Sequence, residues 1–209
     1  MVKKLTLSGF YNPEFLEFEV GAAGAIAIAK VLKNTESLVV LDFAGNNIGD
    51  EGATAIAESL KVNKSLTYLR LSGNAITKVG ADSLADALST NSNLETLWLN
   101  ANFNLSSAAH SLAINLKNNS TLKQLWLSNC QIDDEGIQSL AESLKSNRTL
   151  TFIDLRHNLA TDIAVYALSE MLKTNSTLNV LALGQNFGIS AAGQEMILKM
   201  RTKNDVEPN

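Results

Sequence analysis

The chain has 209 residues, with 21 Asp and Glu against 17 Lys and Arg and a formal net charge of -4. This acidic balance argues against nucleic-acid binding, which needs a basic face for the phosphates. The hydrophobic fraction of 45% indicates a folded protein, and the single cysteine excludes an internal disulfide framework. No segment is apolar over the roughly 18–20 residues that a membrane span needs. We therefore expect a cytoplasmic protein, in its own cell or in the cytosol of a host.

A strict period organises residues 37–200 into six copies. Leucines recur 28 residues apart and open the template L-x-x-L-x-L-x-x-N, as in "SLTYLRLSGNAI". The L-x-L part alternates with period two, which is typical of a half-buried strand. The second half, as in "GATAIAESLKVN", has apolar residues three and four apart, which is typical of an amphipathic helix. Each copy is predicted to be one strand and one helix, and the copies must stack to bury their apolar faces. The repeating leucines are Leu38, Leu66, Leu94, Leu122, Leu150 and Leu178.

This pattern resembles the leucine-rich repeat family, and the 28-residue period is similar to its ribonuclease-inhibitor-like class. The resemblance covers nearly the whole chain. It implies an α/β solenoid, a horseshoe arc with a parallel β-sheet on the concave face and α-helices on the convex face. It also implies a scaffold, an inhibitor or a ligand sensor. The plain repeat consensus is similar to effectors that bacterial pathogens deliver into host cells, and to the sensor part of innate immune receptors.

The last template slot holds asparagine in five copies and Cys130 in the fourth. In the family this slot accepts Asn or Cys, and its side chain bonds backbone groups inside the turn after the strand. The resemblance therefore implies that Cys130 is a buried structural thiol, not a nucleophile or a metal ligand. A buried thiol away from positive charge is unreactive. The five asparagines are Asn46, Asn74, Asn102, Asn158 and Asn186.

The two ends depart from the repeat, although residues 1–209 are predicted to form a single domain. Residues 1–36 hold a further copy, but Leu5 and Leu41 are 36 residues apart, eight more than the period. The extra residues fall in the aromatic segment 9–20, predicted to be a cap or, alternatively, a partner-binding projection. Residues 201–209 are predicted to be a polar, frayed tail. Since no polar C-terminal cap is evident, the chain is either part of a longer protein or pairs at that end.

Two kinds of residue are predicted to cap the helices. Asp50 and Asp134 precede helices and can accept hydrogen bonds from free amide groups. Asparagines recur where the helices end, and asparagine tolerates the left-handed conformation found there. Some of them belong to N-x-S/T sequons, which follow from the repeat and, without a signal peptide, are not expected to be glycosylated. The recurring asparagines are Asn63, Asn91, Asn119, Asn147 and Asn175.

No catalytic site is predicted. His110 and His157 are the only histidines. The template places them on different faces, and neither has an evident serine or cysteine partner, as a nucleophilic triad requires. No cluster of metal ligands and no phosphate-binding glycine-rich loop is present in the sequence. We therefore expect a protein that is not an enzyme and has no cofactor or metal.

The strand template predicts which side chains line the concave sheet. They alternate with the buried leucines and form three rows across the copies. Both tryptophans fall in the middle row, on adjacent strands, where the rings are expected to touch. Exposed Trp, Tyr and Arg together are the composition of protein-binding hot spots. The predicted partner-binding residues are Tyr68, Arg70, Trp98, Trp126, Phe152, Asp154 and Arg156.

The preferred function is a protein–protein interaction module that grips a partner protein with the concave face. No nucleic acid, membrane or small-molecule cofactor is expected as a partner. One alternative is a regulator of a small GTPase, because Ran-type activators share this repeat class, although their acidic tail is missing here. A second alternative is a structural or oligomerisation scaffold. A separate alternative for the two tryptophans is that they only cover sheet surface and bind no ligand.

Overall fold

The computed structural model describes residues 2–7, 20–200 and 205–207, and its strands and helices alternate as the repeat predicts. The strands are β1 Lys4–Thr6, β2 Val40–Asp42, β3 Tyr68–Arg70, β4 Thr96–Trp98, β5 Gln124–Trp126, β6 Phe152–Asp154, β7 Val180–Ala182 and β8 Asp205–Glu207. The helices are α1 Gly21–Asn34, α2 Gly49–Leu60, α3 Lys78–Thr90, α4 Ser106–Leu116, α5 Asp134–Leu144, α6 Asp162–Leu172 and α7 Ala191–Met200. The predicted α/β solenoid is confirmed.

All eight strands form one parallel sheet in sequence order. Each strand is displaced from the next by one repeat, so that Leu69, Leu97 and Leu125 are register partners across β3, β4 and β5. At the N-terminal end Leu5 pairs with Leu41, which confirms that β1 is the strand of a further copy. The aromatic segment predicted as a cap falls almost entirely in residues 8–19, which lie outside the described residues. Its capping role therefore stays a prediction.

The C-terminal tail contains a strand that the sequence did not indicate. Residues 205–207 form β8, and Val206 lies opposite Leu181 in the parallel pairing with β7. The prediction of a frayed tail is wrong at these three residues. The physical reason is that β7 would otherwise leave a row of unpaired amide and carbonyl groups at the sheet edge, which any nearby extended segment can pair with.

The core lies between the sheet and the helix layer. It contains the strand leucines and the inward leucines of the helices, for example Leu97 and Leu112, which are at most 1% exposed. Small residues let successive helices approach closely. A Cβ at Gly136 of α5 would lie 3.0 Å from the carbonyl oxygen of Ser106 and 3.1 Å from Cβ of Ala109, both in α4. The nearest atom, Cγ2 of Ile132, would be 2.7 Å away, so a side chain at this position would force both Ile132 and the neighbouring helix to shift.

The asparagines of the last template slot form a buried ladder between repeats. Asn102 is typical. Its Nδ2 donates to the carbonyl oxygens of Leu71 (2.9 Å) and Leu99 (2.8 Å). Its Oδ1 accepts from the amides of Asn74 (3.0 Å) and Ile76 (3.1 Å) in the preceding repeat. One side chain therefore satisfies four backbone groups that the tight turn leaves without partners, which matters because such groups are costly to bury unpaired.

The asparagines at the helix ends form a second buried ladder, and the left-handed conformation predicted for them is wrong. Asn91, for example, has φ -72 and ψ 128. Asn119 shows what these residues do instead. Its Nδ2 donates to the carbonyl oxygen of Leu88 (2.9 Å) one repeat earlier, and its Oδ1 accepts from the amides of Thr121 (3.0 Å) and Leu122 (2.8 Å). The helix-end asparagines thus join each repeat to the one before it.

The predicted caps Asp50 and Asp134 act on the next repeat and not on their own helices. Asp50, in the first turn of α2, accepts from the amides of Thr77 (2.8 Å) and Gly80 (2.9 Å) at the start of α3. Asp134 in α5 likewise accepts from the amide (2.8 Å) and hydroxyl (2.6 Å) of Thr161, which precedes α6. The stacking of helices brings each acid beside the following N-terminus, where its negative charge is favourable.

Hydrogen bonds lower the pKa of two acids at the helix starts, Asp50 and Asp133. For Asp133, which caps α5, the largest cause is the hydrogen bond from the Ser106 hydroxyl, and amides at the start of α5 add to it, against the effect of burial. For Asp50 burial raises the pKa, but hydrogen bonds from the Thr77 hydroxyl and from the amides of Thr77 and Gly80 outweigh it, so that the pKa is lowered.

These lowered pKa values predict a loss of stability in acid. A carboxyl whose folded-state pKa lies below its unfolded value of about 3.9 stabilises the fold above that pH, and this contribution is lost as the pH falls through the folded-state pKa. We expect the free energy of unfolding to fall as the pH drops below about 4. Asp133→Ala is expected to cost about 1 kcal/mol at pH 7 and to make the acid dependence shallower. Urea denaturation from pH 7 to acid measures both; an unchanged acid dependence in the variant would contradict this role of Asp133.

Candidate partner-binding face

The register of the sheet confirms two of the three predicted rows. Tyr68 pairs with Thr96 and Arg70 with Trp98 between β3 and β4, and the same offset continues to Trp126 in β5. The leucines between them are buried in the core, so these side chains stand on the opposite, concave face. The rows are Val40, Tyr68, Thr96, Gln124, Phe152 and Val180, then Asp42, Arg70, Trp98, Trp126, Asp154 and Ala182. The third predicted row, after the strands, is Ala44, Ser72, Asn100, Ser128, Arg156 and Gly184.

Four aromatic rings on consecutive strands form a continuous aromatic strip: Tyr68, Trp98, Trp126 and Phe152. Trp98 and Trp126 stack with centroids 3.8 Å apart and planes 9° from parallel, which confirms the predicted contact. Phe152 lies 4.2 Å from Trp126, and Tyr68 lies 6.3 Å from Trp98, both tilted. All four rings are half-buried. Their stacking comes from the strand spacing of about 4.8 Å, which brings equivalent side chains of adjacent repeats into contact.

The indole N–H groups of the two tryptophans lack hydrogen-bond partners among the described residues. Among the described residues, no acceptor lies within hydrogen-bond reach of Nε1 of Trp98 or Nε1 of Trp126, and both atoms are shielded from solvent. An unpaired, shielded donor costs about 1–3 kcal/mol. The stacked tryptophans therefore do not have the arrangement that folding stability alone would favour.

Arg70 lies at one end of the aromatic strip. Its guanidinium carbon is 5.5 Å from the centroid of Trp98, close enough for a cation–π contact. Its Nη1 is 3.4 Å from Oδ2 of Asp42, which lies next to it in the middle row. Asp42 is a positioning residue that was not among the predicted partner-binding residues. Its place in the middle row, beside an arginine, was the signal that could have identified it.

At the opposite end of the aromatic strip, Asp154 does not lie where the sequence predicted. The sequence places it on the concave surface, but it is fully buried beneath Arg156. Nε and Nη2 of Arg156 donate to the two carboxylate oxygens at 3.0 and 2.9 Å, and the Arg156 amide donates to Oδ1 at 3.0 Å. The Arg156 side chain folds back over the Asp154 carboxylate. Arg156 is therefore the exposed member of the pair, and Asp154 helps to hold it in place.

Cys130 is buried, as predicted, and takes part in the asparagine ladder through its backbone. Its amide donates to Oδ1 of Asn158 at 3.0 Å, and its Sγ lies 3.3 Å from the carbonyl oxygen of Leu99. Burial raises the pKa of the Cys130 thiol to about 12. Thiolate, the reactive form, is therefore scarce at neutral pH.

We expect slow labelling of Cys130 by a thiol reagent in the native protein. At pH 8 a thiol with a pKa of about 12 is ionised to roughly one part in ten thousand, and the buried sulfur is also sterically closed. The rate of reaction with an aromatic disulfide, measured with and without denaturant, tests this. The unfolded chain is the control and should react rapidly; an equal rate in the native state would show that Cys130 is accessible.

His110 has a serine partner that the sequence did not reveal. Its Nδ1 is 3.2 Å from Oγ of Ser139, across the outer surfaces of α4 and α5. The Ser139 hydroxyl itself donates to the carbonyl oxygen of Glu135 at 3.0 Å. The Ser139 hydroxyl can donate to only one of these two neighbours at a time, and the tautomer of the imidazole ring sets the direction of the His110–Ser139 bond. His157 lies elsewhere, exposed in the turn after β6 with φ 55.

Residues 2–7, 20–200 and 205–207 contain neither a cluster of metal ligands nor a membrane-spanning helix. No three His, Cys, Asp or Glu side chains in these ranges are grouped so that they could hold a metal ion. Within the same ranges, none of the helices has both the length and the apolar character needed to cross a membrane.

The fold is similar to solved structures of repeat proteins. A leiomodin-1 fragment, actin-binding site 2, has a TM-score of 0.51 and 19% identity over 84% of this chain and 86% of its own. The tropomodulin C-terminal domain of Caenorhabditis elegans gives a TM-score of 0.59 and 17% identity over 72% of this chain and 92% of its own. A chain of the yeast Rad7–Elc1 complex gives a TM-score of 0.54 and 17% identity over 88% of this chain. The match spans about half (51%) of the length of that Rad7–Elc1 chain.

The repeats themselves match a known family. A sequence model described as "Leucine Rich repeat" matches residues 36–57, 62–85 and 118–141. No curated protein matches the chain significantly. The matched segments each contain one strand of the concave sheet and adjoining helix, in agreement with the described fold. The chain therefore contains leucine-rich repeats.

Proposed function

We propose that this protein is a non-enzymatic recognition module that binds a partner protein through the aromatic strip and the two arginines, Arg70 and Arg156. The observation that carries the proposal is the stacked pair Trp98 and Trp126 on the open face of the sheet. Large aromatic side chains beside arginine are the usual hot spots of protein interfaces. The unpaired indole N–H groups add support, because the pair brings a cost to the free protein that binding can offset.

The names of similar structures fit this proposal. The leiomodin-1 fragment is named as an actin-binding site, and the Rad7 chain was solved in a complex with Elc1. These likenesses are below 20% identity and carry only the fold to this chain. They support a partner protein as a class and do not identify it.

A pull-down from the source cells tests the proposal. Wild-type protein is compared with Trp98→Ala/Trp126→Ala, and with Tyr166→Ala as the control, since Tyr166 is an exposed aromatic residue on α6. We expect a protein that is retained by the wild type and the control and is lost from the double variant. Equal retention of the partner by all three proteins would show that the binding site lies outside the aromatic strip. Acceleration of GTP hydrolysis by the captured material would favour a GTPase regulator.

A cytoplasmic location is part of the same proposal. Asn63, Asn119, Asn147 and Asn175 each begin an N-x-S/T sequon, yet their side-chain nitrogens are buried and donate to backbone carbonyl oxygens. A sugar on any of them would remove these bonds and could not fit. Expression directed into a eukaryotic secretory pathway is expected to yield glycosylated, misfolded chains. Native, secreted protein carrying glycans at these four positions would contradict the argument.

A further inference from the structure

The unpaired polar atoms of the candidate site are mainly hydrogen-bond donors. Among the described residues, the shielded side-chain atoms without a partner include Nε of Arg70, Nε1 of Trp98 and Nε1 of Trp126. These three atoms can only donate. The hydroxyl of Ser72, in the row beside Arg70, is also unpaired and can either donate or accept. The concave face therefore offers donors that the fold itself leaves unused.

The two carboxylates of the middle row are already paired, so the face carries little excess charge. Oδ2 of Asp42 lies 3.4 Å from Nη1 of Arg70, and both carboxylate oxygens of Asp154 accept from Arg156. Each arginine is thus matched by one acid beside it. An approaching ligand meets donors without an excess of positive charge, which favours neutral carbonyl oxygens as acceptors over carboxylates or phosphates.

The two tryptophans present ring edges, not ring faces, to the open side of the sheet. Trp98 and Trp126 lie on adjacent strands, 9° from parallel and with centroids 3.8 Å apart, so each ring covers one face of the other. Phe152 lies against the second face of Trp126, and Tyr68 and Arg70 lie on the second side of Trp98. The edge of an aromatic ring carries partial positive charge, which attracts oxygen acceptors.

The spacing of the rings matches one regular conformation of a peptide. Tyr68 and Trp126 are two strands apart, as are Trp98 and Phe152, which is about 9.6 Å at about 4.8 Å for each strand. A polyproline II helix rises about 3.1 Å for each residue, so that one turn of three residues advances about 9.3 Å. Its backbone forms no internal hydrogen bonds, and proline has no N–H, so a proline-rich segment is rich in acceptors and poor in donors.

We propose that the partner presents an extended, proline-rich segment that lies across the strands in the polyproline II conformation. Prolines three positions apart pack on the aromatic strip, and carbonyl oxygens of the segment accept from Arg70 and from the indole N–H groups of Trp98 and Trp126. Rotation about χ2, a broad torsion in tryptophan, directs these N–H groups toward the segment.

This inference rests on the proposed function and adds to it the chemistry of the partner. Aromatic-lined grooves bind proline-rich segments in other folds, because the polyproline II helix is preformed and loses little entropy on binding. The match here lies in three properties of the aromatic strip, namely its unpaired donors, its positive ring edges and its spacing.

Single-stranded nucleic acid is the main competing ligand, since it also binds aromatic residues beside arginine. Its bases need free ring faces, and its phosphates need basic side chains. The covered faces of Trp98 and Trp126 disfavour the first contact, and the net charge of -4 disfavours the second. The proline-rich peptide needs neither.

A phage-displayed library of short random peptides, selected on the purified protein, tests the inference. We expect enriched peptides to contain at least two prolines three positions apart. Synthetic versions without tryptophan can be titrated by protein fluorescence, since Trp98 and Trp126 are the only tryptophans of the chain. Replacing either proline of a peptide by alanine should weaken binding about tenfold, because alanine adds an N–H donor and loosens the polyproline II conformation.

Variants of the protein separate the individual contacts, with fluorescein-labelled peptide anisotropy as the measurement. Trp98→Phe/Trp126→Phe keeps two rings and removes the indole donors, so the affinity should fall about tenfold. Arg70→Gln should lower it by a similar factor, about tenfold. Arg148→Gln, on the loop after α5, is the matched control and should leave the affinity unchanged, and circular dichroism verifies the fold of each variant.

The other outcomes of the selection each decide against the inference. Enriched peptides that depend on Trp98 and Trp126 but lack spaced prolines would overturn it and leave the proposed function intact. No enrichment beyond that of a parallel selection on Trp98→Ala/Trp126→Ala would also overturn it, while the pull-down still tests the proposed function. Peptides that bind independently of both tryptophans would count against both. Tryptophan-dependent binding of a labelled oligothymidine, in preference to the peptides, would replace the peptide by nucleic acid.

Discussion

Replacing Asn102 with alanine is expected to lower the free energy of unfolding by about 4 kcal/mol. The reason is that its side chain is fully buried and bonds four backbone groups, three of them in the preceding repeat. Alanine leaves two amides and two carbonyl oxygens unpaired where water does not reach. Thermal or urea denaturation, followed by circular dichroism, measures the loss.

Asn102→Cys is the informative companion, because Cys130 occupies the equivalent slot one repeat later. There the sulfur contacts carbonyl oxygens at 3.3 and 3.4 Å, longer and weaker than the bonds of the asparagine. We expect this variant to lose about half as much stability as Asn102→Ala. Asn118→Ala, at an exposed position, is the control and should change little. A loss below about 1 kcal/mol for Asn102→Ala would show that the ladder contributes little.

The double variant Trp98→Ala/Trp126→Ala is expected to weaken partner binding by roughly a hundredfold or more, while the protein stays folded. The rings stand on the face opposite the core and contact mainly one another, Tyr68 and Phe152. The lost stacking, about 0.5–1.5 kcal/mol for each aromatic pair, is partly offset because two unpaired N–H groups disappear. Titration with a captured partner or a selected peptide measures the affinity, and circular dichroism verifies the fold.

A conservative double substitution separates the contribution of the two rings to stability from their contribution to partner binding. Trp98→Phe/Trp126→Phe keeps two aromatic rings and removes both unpaired donors, so its stability should equal or exceed that of the wild type. If the indole N–H groups reach acceptors on the partner, this variant still binds more weakly than the wild type. Unfolding of the double alanine variant would mean that the rings belong to the core, and that the assigned face is wrong.

Much of the fold follows from the sequence because the repeat is strict. A 28-residue period with alternating leucines determines both the secondary structure and the register, since equivalent residues of successive copies must lie side by side in a parallel sheet. For the same reason the contact between Trp98 and Trp126 could be predicted from their positions alone. The buried state of Cys130 followed from the slot that it shares with asparagine.

Contacts between repeats were decided only by the tertiary structure. The sequence placed Asp50 at its own helix, Asn119 in a left-handed turn and Asp154 on the surface. In the fold Asp50 caps the next helix, Asn119 bonds the previous repeat and Asp154 lies beneath Arg156. The period determines which backbone positions are neighbours. Which side chain bonds which neighbour depends on how the flexible acids, amides and arginines turn within the stacked repeats, and that becomes defined only when the repeats pack together.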